Sequence, residues 1–557
     1  MKIFRVLVLL LVGLSTACAE SGRMTVYETL LHRLGSEPVP ETLFVMEDDA
    51  YVPFVDLAIV KDLYPEKGFR FEENRLTCET DEGFFLFDPD TNTVTQHLFD
   101  VTAPLSEGHA FGLHLENVET LPGTDVTYDL SPYGYRLIPA GTGLLVPVTV
   151  VSALIAEAYN DMLFTDGRAL YFATIHDVAT EQYKKQYDRT ILPLLAKGPW
   201  KEAVSDRNRA RANYHALCFR MDYAYGYRER WPESFDRYLQ DNYPEVRQDL
   251  LDGDPIQAMR GLNALIYRCV DDIHTTTGDM PPWFSKLPRK TQNELTRAEG
   301  PGRTADREAR WEKYTKLRAG KIRGARPSKR LEHLRYYKNM AVITWDEFTM
   351  DIDYWESYMP GDPVNVKDTL GFLYRSFEDI KKHPEVSIIV MDLTCNYGGI
   401  TDGGLYAMGM MKPEFHAELR SSLTGARRTE TYRADTNLDG AVDERDGFEN
   451  LYRFYILISD ASFSCGNLLP AIAKEQGAAV IAGLPSAGGG CSIYIMKDLY
   501  GTTVGYSGTW AGYTVNPEGE VRSNDEGVIP DIFLDSDIWY DDAKLREALM
   551  SGTVANP

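Results

Sequence analysis

A serine at a predicted strand-to-helix turn is the strongest candidate for chemistry in this sequence. The apolar run Phe454-Tyr-Ile-Leu-Ile-Ser459 predicts a buried strand, Asp460-Ala-Ser-Phe-Ser-Cys-Gly-Asn467 follows it, and Leu468 to Glu475 has helical spacing. A hydroxyl at such a turn lies near a helix N-terminus, where free backbone N–H groups can stabilise a developing oxyanion. Taken alone, the turn is more typical of an ordinary helix N-cap, at Ser462 or Ser464, than of a nucleophile.

Two glycine-rich loops and one later motif accompany this turn. The apolar run from Val386 ends in Asp392-Leu-Thr-Cys-Asn-Tyr-Gly-Gly399, and the run from Ala478 leads into Leu484-Pro-Ser-Ala-Gly-Gly-Gly-Cys491. Asn524-Asp-Glu-Gly-Val-Ile-Pro-Asp531 follows near the end of the chain. Sites on open α/β sheets lie at the carboxyl ends of the strands, so we expect these segments to meet at one sheet edge.

These four ordered segments resemble the tail-specific and C-terminal processing protease family, which includes tricorn protease and the retinoid-binding repeats. Members show Asp-Leu-Arg-x-Asn-x-Gly-Gly, a turn ending in Ser-Ala-Ser-Glu, a Gly-Lys-Gly loop and Gly-Val-x-Pro-Asp. The similarity extends over about residues 269–534. It implies a ClpP/crotonase-like sheet domain and serine-peptidase action on peptide or protein substrates. The family often carries a PDZ domain, for which this chain has too short an interval.

The resemblance assigns the nucleophile and shows that the usual general-base lysine is missing from this chain. The nucleophile lies three places before the family's glutamate, here Asn467, and therefore falls on Ser464. The same register places the general-base lysine at Gly489, so this chain lacks the Ser-Lys dyad. In the tricorn branch the base is a histidine ahead of the sheet, in a segment similar to Asp271-Asp-Ile-His-Thr-Thr276, which points to His274.

A histidine base needs a third group to orient it, and the tricorn branch uses a carboxylate close to the final motif. Glu526 is the first candidate and Asp525 the second. The oxyanion hole is expected from backbone N–H groups at Gly398 or Gly399 and at Cys465, since glycine permits the unusual dihedrals required.

Two functional hypotheses follow from these assignments. In the first, His274 deprotonates Ser464, which attacks a peptide carbonyl and forms an acyl-enzyme that water later hydrolyses. In the second, replacement of the lysine by Gly489 marks a catalytically silent domain that binds a peptide or apolar ligand. Esterase or amidase action on a small substrate would use the same residues as the first hypothesis.

A second motif predicts a structural calcium site and no catalytic cofactor. Oxygen ligands recur at the spacing of an EF-hand or dockerin loop, with glycine at its sixth position and a backbone carbonyl at its seventh. The predicted ligands are Asp435, Asn437, Asp439, Ala441, Asp443 and Asp446. The alternative is an acidic turn without metal.

The N-terminus predicts export. Lys2 and Arg5 precede an apolar run, and Ser15-Thr-Ala-Cys18 resembles a bacterial lipobox, so 1–18 is expected to be a signal peptide with lipidation at Cys18. The alternative is cleavage without a lipid. We expect a cell-envelope protein, lipid-anchored or secreted, whose only membrane contact is the anchor. The net charge of -25 argues against nucleic-acid binding.

Composition and periodicity divide the remaining chain. Short alternating runs predict a β-rich, α+β module over 24–153, and helical spacing predicts a helical domain over 154–277. A charged helical and loop insertion follows over 278–335, whose basic clusters are typical of a solvated face. Apolar runs alternating with helices then predict a mostly parallel α/β sheet domain over 336–537. A C-terminal tail covers 538–557.

Overall fold

The structure is a computed structural model of the chain. It describes residues 24–33, 36–47, 49–72, 74–77, 83–98, 105–106, 108, 110–141, 143–174, 187, 189–297, 302–515 and 521–552. The predicted signal peptide and Cys18 lie outside the described residues. No helix in these ranges is both long enough and apolar enough to span a membrane.

The N-terminal part contains two sheets. A seven-stranded sheet has the order β10-β11-β3-β2-β1-β13-β12, and a five-stranded antiparallel sheet has the order β4-β5-β6-β7-β9. These strands are β1 Met24–Arg33, β2 Val39–Met46, β3 Asp49–Asp56, β4 Arg70–Glu72, β5 Arg75–Thr77, β6 Phe84–Asp88, β7 Thr93–His97, β9 Val126–Asp129, β10 Ile138–Ala140, β11 Gly143–Pro147, β12 Asp161–Thr165 and β13 Leu170–Thr174. Two short helices accompany them, α1 Ile59–Leu63 and α2 Val148–Val151.

The segment 154–277, predicted to be helical, also contains two strands after its first helical turns. β12 and β13 lie inside it and complete the N-terminal sheet, where β13 runs parallel to β1. Every residue of β12 is buried, and so short a buried run has no periodicity that separates a strand from a helix. The helices follow: α3 Leu192–Lys197, α4 Arg207–Tyr223, α5 Phe235–Asn242, α6 Pro244–Leu251 and α7 Pro255–Ala264.

A six-stranded sheet with the order β15-β16-β17-β20-β21-β25 forms the centre of the C-terminal half. All of its pairings are parallel except that of the edge strand β15 with β16. Its strands are β15 Glu332–Tyr337, β16 Met340–Trp345, β17 Ile388–Asp392, β20 Arg453–Ile458, β21 Val480–Gly483 and β25 Ile532–Phe533. Apolar clusters cover both faces, which explains why the central strands are apolar without alternation.

Helices surround this sheet on both sides. A separate helix, α8 Arg289–Thr296, packs against α7 through Leu295, whereas those around the sheet are α9 Arg303–Ala319, α10 Ile352–Ser357, α11 Thr369–Ile380, α12 Thr401–Met411, α13 Cys465–Glu475 and α14 Asp542–Ser551. The last of these lies in the predicted C-terminal tail and is packed, with Leu545 and Leu549 buried. The fold is therefore mixed α/β, as expected.

A second, antiparallel sheet joins the two halves of the chain. Its path is β14-β23-β18-β19-β8, and β22 and β24 also pair with β23. Its strands are β8 Leu113–Leu121, β14 Thr276–Thr277, β18 Glu414–Ser421, β19 Arg427–Ala434, β22 Cys491–Lys497, β23 Thr503–Val515 and β24 Val521–Ser523. Because β8 comes from the predicted N-terminal module and β14 follows His274, this sheet holds distant segments against the C-terminal domain.

Candidate active site

Ser464 occupies a strained position between β20 and α13. Its backbone has φ 57° and ψ -122°, a region that residues other than glycine rarely adopt, and α13 begins at the next residue. The side chain is half-buried and makes no capping hydrogen bond to the helix. Strain at a half-buried serine with an uncommitted hydroxyl fits a nucleophile better than an N-cap.

Ser462 has the opposite character. It is fully buried, its hydroxyl donates to the carbonyl oxygen of Leu393 at 2.7 Å, and its oxygen accepts the N–H of Ser459 at 2.9 Å. Ser459 in turn donates to the carbonyl oxygen of Thr394 at 2.5 Å. These hydroxyls fasten the turn to the loop after β17, so Ser462 is a structural residue.

The glycine pair lies directly against the nucleophile. Gly398 and Gly399 have φ values of 103° and 134°, and a β-carbon added to Gly398 would lie 2.5 Å from the Ser464 β-carbon. The Gly398 N–H donates to Asn396 Oδ1 at 2.9 Å, whereas no described group accepts the Gly399 N–H. Of the two glycines, Gly399 is therefore the better candidate donor to an oxyanion.

Cys465 is the first residue of α13, so its N–H belongs to the amino end of that helix. Its thiol donates to the carbonyl oxygen of Gly399 at 3.0 Å, which joins the two predicted halves of the oxyanion hole. This contact fixes the glycine loop relative to the nucleophile turn.

Asn467 links three of the sequence motifs. Its amide donates to the carbonyl oxygen of Asn524 at 2.7 Å, and its carbonyl oxygen accepts the Ser486 hydroxyl at 2.6 Å. Ser486 also accepts the N–H of Val528 at 2.6 Å. The nucleophile helix, the second glycine-rich loop and the final motif are therefore held together at one sheet edge, as expected for a site.

His274 lies beside the nucleophile turn without a hydrogen bond to it. Its ring packs on Phe463, with ring centroids 4.6 Å apart, and neither ring nitrogen has a partner in the described structure. Burial lowers the pKa of His274, Asp272 and Asp525 raise it, and Arg307 and Arg303 lower it further. The imidazole is therefore neutral near pH 7, the form that can accept a proton.

The two acidic candidates differ in their surroundings. Asp525 is half-buried, its Oδ1 accepts the N–H of Gly489 at 3.2 Å, and it lies within electrostatic range of His274. Glu526 is exposed, and its carboxylate has no hydrogen bond or ion pair with a described residue. Asp272, a third acid near the ring, binds Ser507 and Thr275 instead of the imidazole. Asp525 is thus the better candidate for the orienting acid.

Gly489 has no room for a side chain. A β-carbon there would lie 2.5 Å from the Phe463 ring, and the backbone φ is 88°. Phe463 therefore occupies the space that a residue at 489 would need. No sequence pattern predicts this role of Phe463, since an aromatic residue in a turn is typical of ordinary packing.

Helix α9 contacts the site loops, although its charge suggested a solvated face. Arg303 donates to the carbonyl oxygen of Ala487 at 3.4 Å, and the Arg307 guanidinium lies 5.3 Å from the centre of the Phe463 ring. Farther along, Trp311 donates to the carbonyl oxygen of Cys395 at 3.0 Å, and Arg318 is buried on Asp346. The i, i+4 spacing of Arg303, Arg307 and Trp311 could have predicted a packed face, but the surrounding charged residues obscured this pattern.

The predicted calcium loop is closed by its own hydrogen bonds. Asp435 accepts the N–H of Gly440 at 2.7 Å, and Asp446 accepts the N–H groups of Thr436 and Asp443. Arg445 pairs with both Asp439 and Asp443 at 2.7 Å. In the described residues no group of three or more His, Cys, Asp or Glu side chains is arranged to hold a metal ion. Arg445 occupies two of the predicted ligands in this arrangement, so Ca²⁺ binding, which stays a prediction, would require Arg445 to leave.

Comparison with known proteins identifies the domain. The model of peptidase family S41 matches residues 340–534, which include Ser464, the glycine pair and the final motif. No curated protein matches the chain.

Solved structures show only distant overall similarity. The photosystem II D1 C-terminal processing protease is 19% identical over 39% of this chain and 48% of its own, about half its length, with a TM-score of 0.27. A structure from Parabacteroides merdae ATCC 43184, assigned as a peptidase, is 14% identical over 62% of this chain and 98% of its own, with a TM-score of 0.39. Residues 340–534 of the chain thus match peptidase family S41, a family of serine-type peptidases.

Proposed function

We propose that the protein is an exported serine endopeptidase that hydrolyses peptide bonds in envelope or extracellular proteins through an acyl-enzyme on Ser464. The single observation that carries the proposal is the Ser464 turn: a strained, half-buried serine whose hydroxyl caps nothing, beside the Gly399 N–H and the amino end of α13. Family membership supports peptidase chemistry in general.

In the proposed reaction the Ser464 oxygen attacks the peptide carbonyl carbon while His274 takes the hydroxyl proton. The carbonyl oxygen becomes an oxyanion that the N–H groups of Gly399 and Cys465 stabilise. His274 then gives the proton to the leaving amine, and a water molecule deprotonated by the same imidazole hydrolyses the ester.

The role of His274 requires a change of ring position. Its two nitrogens have no partner, and its ring rests on the residue directly before the nucleophile. A rotation that brings one nitrogen to Ser464 and the other toward Asp525 would complete the triad without breaking an existing hydrogen bond of the imidazole. Catalytic hydrogen bonds often form only when substrate is bound.

The site of action follows from the N-terminal sequence. We propose that 1–18 directs export and that Cys18 carries a lipid that anchors the protein to a membrane of the cell envelope. Replacement of Cys18 by serine should release the protein into the soluble fraction, which fractionation of cells with an antibody against the protein would detect. Membrane association that survives this change would refute the anchor.

A silent, ligand-binding domain is the second candidate function. Its support is the missing general-base lysine together with a cavity of about 1040 Å³ whose lining includes Ala471, Val528 and Ile529 but neither Ser464 nor His274. A domain that binds an apolar ligand there would need no working serine.

Proteolysis of an unfolded protein separates the two candidates. Reduced and alkylated casein would be incubated with the mature protein, and new peptide termini would be identified by mass spectrometry. We expect cleavage by the wild type and none by Ser464→Ala at equal concentration. Absence of cleavage by both proteins, or equal cleavage by both, would contradict the proposed peptidase function.

A further inference from the structure

One face of α9 is fastened to the loops of the active site at almost every turn. Arg303 binds the carbonyl oxygen of Ala487, Arg310 pairs with Asp460 at 3.2 Å, and Tyr314 donates to the same carboxylate at 2.7 Å. Trp311 and Arg318 also have acceptors on the sheet domain. These residues recur every three or four positions, so they form one side of the helix.

Arg307 lies in the middle of this face and is the exception. Its guanidinium stacks on the Phe463 ring, but no carboxylate or carbonyl oxygen of the described residues accepts a hydrogen bond from it. Its Nε atom is buried without a partner. The side chain as a whole is half-buried, so the guanidinium is only partly removed from water, and stacking on Phe463 offsets part of that cost.

The position of this cation relates it to the reaction. Phe463 directly precedes Ser464, and the His274 ring packs on the same phenyl group. The guanidinium therefore lies on the nucleophile turn, within electrostatic range of the proposed base. No described residue supplies an acceptor, so a substrate group that enters the site can provide one.

We propose that Arg307 is a specificity-determining residue that binds a carboxylate of the substrate beside Ser464. The inference rests on the proposed peptidase function, because the anionic groups of a peptide are carboxylates. They come from two sources, the free C-terminus and the side chains of Asp and Glu. Arginine presents parallel N–H donors that match the geometry of a carboxylate.

Electrostatics around His274 gives the proposal a second consequence. Burial lowers the pKa of the Arg307 guanidinium, and Arg307 with Arg303 lowers the pKa of the imidazole. Proton transfer from Ser464 creates an imidazolium, which these cations oppose. A bound carboxylate offsets the charge of Arg307, so substrates that carry one at this position gain in kcat as well as in affinity.

Binding is tested first on the full-length mature Ser464→Ala protein, which holds peptides without cleaving them. Fluorescein-labelled degenerate peptide pools are prepared in two matched pairs: free C-terminus against C-terminal amide, and internal Glu against internal Gln. Anisotropy titrations should favour the carboxylate form of at least one pair by about tenfold. The pair that discriminates identifies the source of the carboxylate.

Arg307 is then changed in the same background. Arg307→Gln should abolish the discrimination, and Arg307→Lys should retain part of it. The matched control Lys316→Gln removes an exposed charge from the same helix and should leave the preference intact. Circular dichroism verifies that each variant is folded. If Arg307→Gln misfolds, the test rests on the carboxylate preference of Arg307→Lys and on the discrimination between the matched pools.

Three outcomes would overturn the proposal. They are no preference in either pair, no binding of the carboxylate pools, and a preference that survives in folded Arg307→Gln. None of these affects the cleavage of casein by the wild type, so failure of the carboxylate subsite is distinguishable from failure of the peptidase function. Loss of kcat for carboxylate peptides alone, measured with Arg307→Gln carrying an intact Ser464, would support the electrostatic role.

Discussion

The His274 ring and the Phe463 ring pack together with centroids 4.6 Å apart, while both imidazole nitrogens have no partner. Phe463 thereby contacts both Gly489, where the family resemblance expects a lysine, and the proposed histidine base. The phenyl ring fills the space beside Gly489 and provides the surface on which the imidazole rests.

Substitution at Gly489 should destabilise the fold through Phe463. Gly489→Ala places a β-carbon against the phenyl ring and should lower the free energy of unfolding by about 1–3 kcal/mol, measured by urea denaturation. Gly477→Ala is the matched control, since it has a similar positive φ of 63° and nothing within 4 Å. It should cost only the dihedral strain, about 1 kcal/mol. Equal losses in the two variants would contradict the packing role of Phe463.

The acid limb of the pH–rate profile should lie below the ordinary range of histidine. Protonation inactivates a base, and burial lowers the pKa of His274 below its usual 6.5, so kcat/KM should hold until the pH falls below that value. The measurement is peptide hydrolysis between pH 4.5 and 8 in buffers of constant ionic strength, about 0.15 M. An acid limb above pH 6.5 would show that another group, or a solvated histidine, is the base.

Substitution of the two serines of the turn should change stability in opposite directions. Ser462→Ala removes a buried hydroxyl with two hydrogen bonds and should cost about 1–3 kcal/mol of unfolding free energy. Ser464→Gly should raise stability by up to about 1 kcal/mol, because glycine adopts a φ of 57° without strain. Urea denaturation of both variants checks the pair. A stabilising Ser462→Ala or a destabilising Ser464→Gly would contradict the assigned roles.

Calcium binding to the 435–446 loop remains a prediction, and Arg445 determines its strength. Because Arg445 pairs with Asp439 and Asp443, Arg445→Gln should free two ligands and tighten Ca²⁺ binding measured by isothermal titration calorimetry. Asp435→Asn should weaken it, and the exposed Arg427→Gln serves as the control. No binding heat in either the wild type or Arg445→Gln would eliminate the calcium site.

Local patterns predicted the central strands of the sheet domain, because β16, β17, β20 and β21 are largely apolar runs and β17 and β21 lead into glycine-rich loops. β20 and the loop after it contain the predicted nucleophile within a single segment. The order of the motifs was sufficient to bring Ser464 and the glycine pair to one sheet edge.

Contacts between distant segments could not be predicted in the same way. β8 and β14 belong to the antiparallel sheet but lie far from its other strands in the sequence. Neither has a residue pattern that predicts which strand it pairs with. Arg307 and Phe463 lie about 150 residues apart and meet only because α9 crosses the site loops. The high charge of α9 obscured the pattern of its packed face. Asp525 and Glu526 differ in exposure, and no sequence pattern predicts which of two adjacent acidic residues is the more buried.

The most direct test of the account is covalent labelling of the mature protein by a fluorophosphonate, followed by intact-mass and peptide-mass analysis. The account predicts one adduct on Ser464 that is absent in Ser464→Ala, strongly reduced in His274→Ala and unchanged in Lys316→Gln. No adduct on the folded wild type across the pH range, or an adduct whose rate does not depend on His274, would contradict a serine activated by histidine.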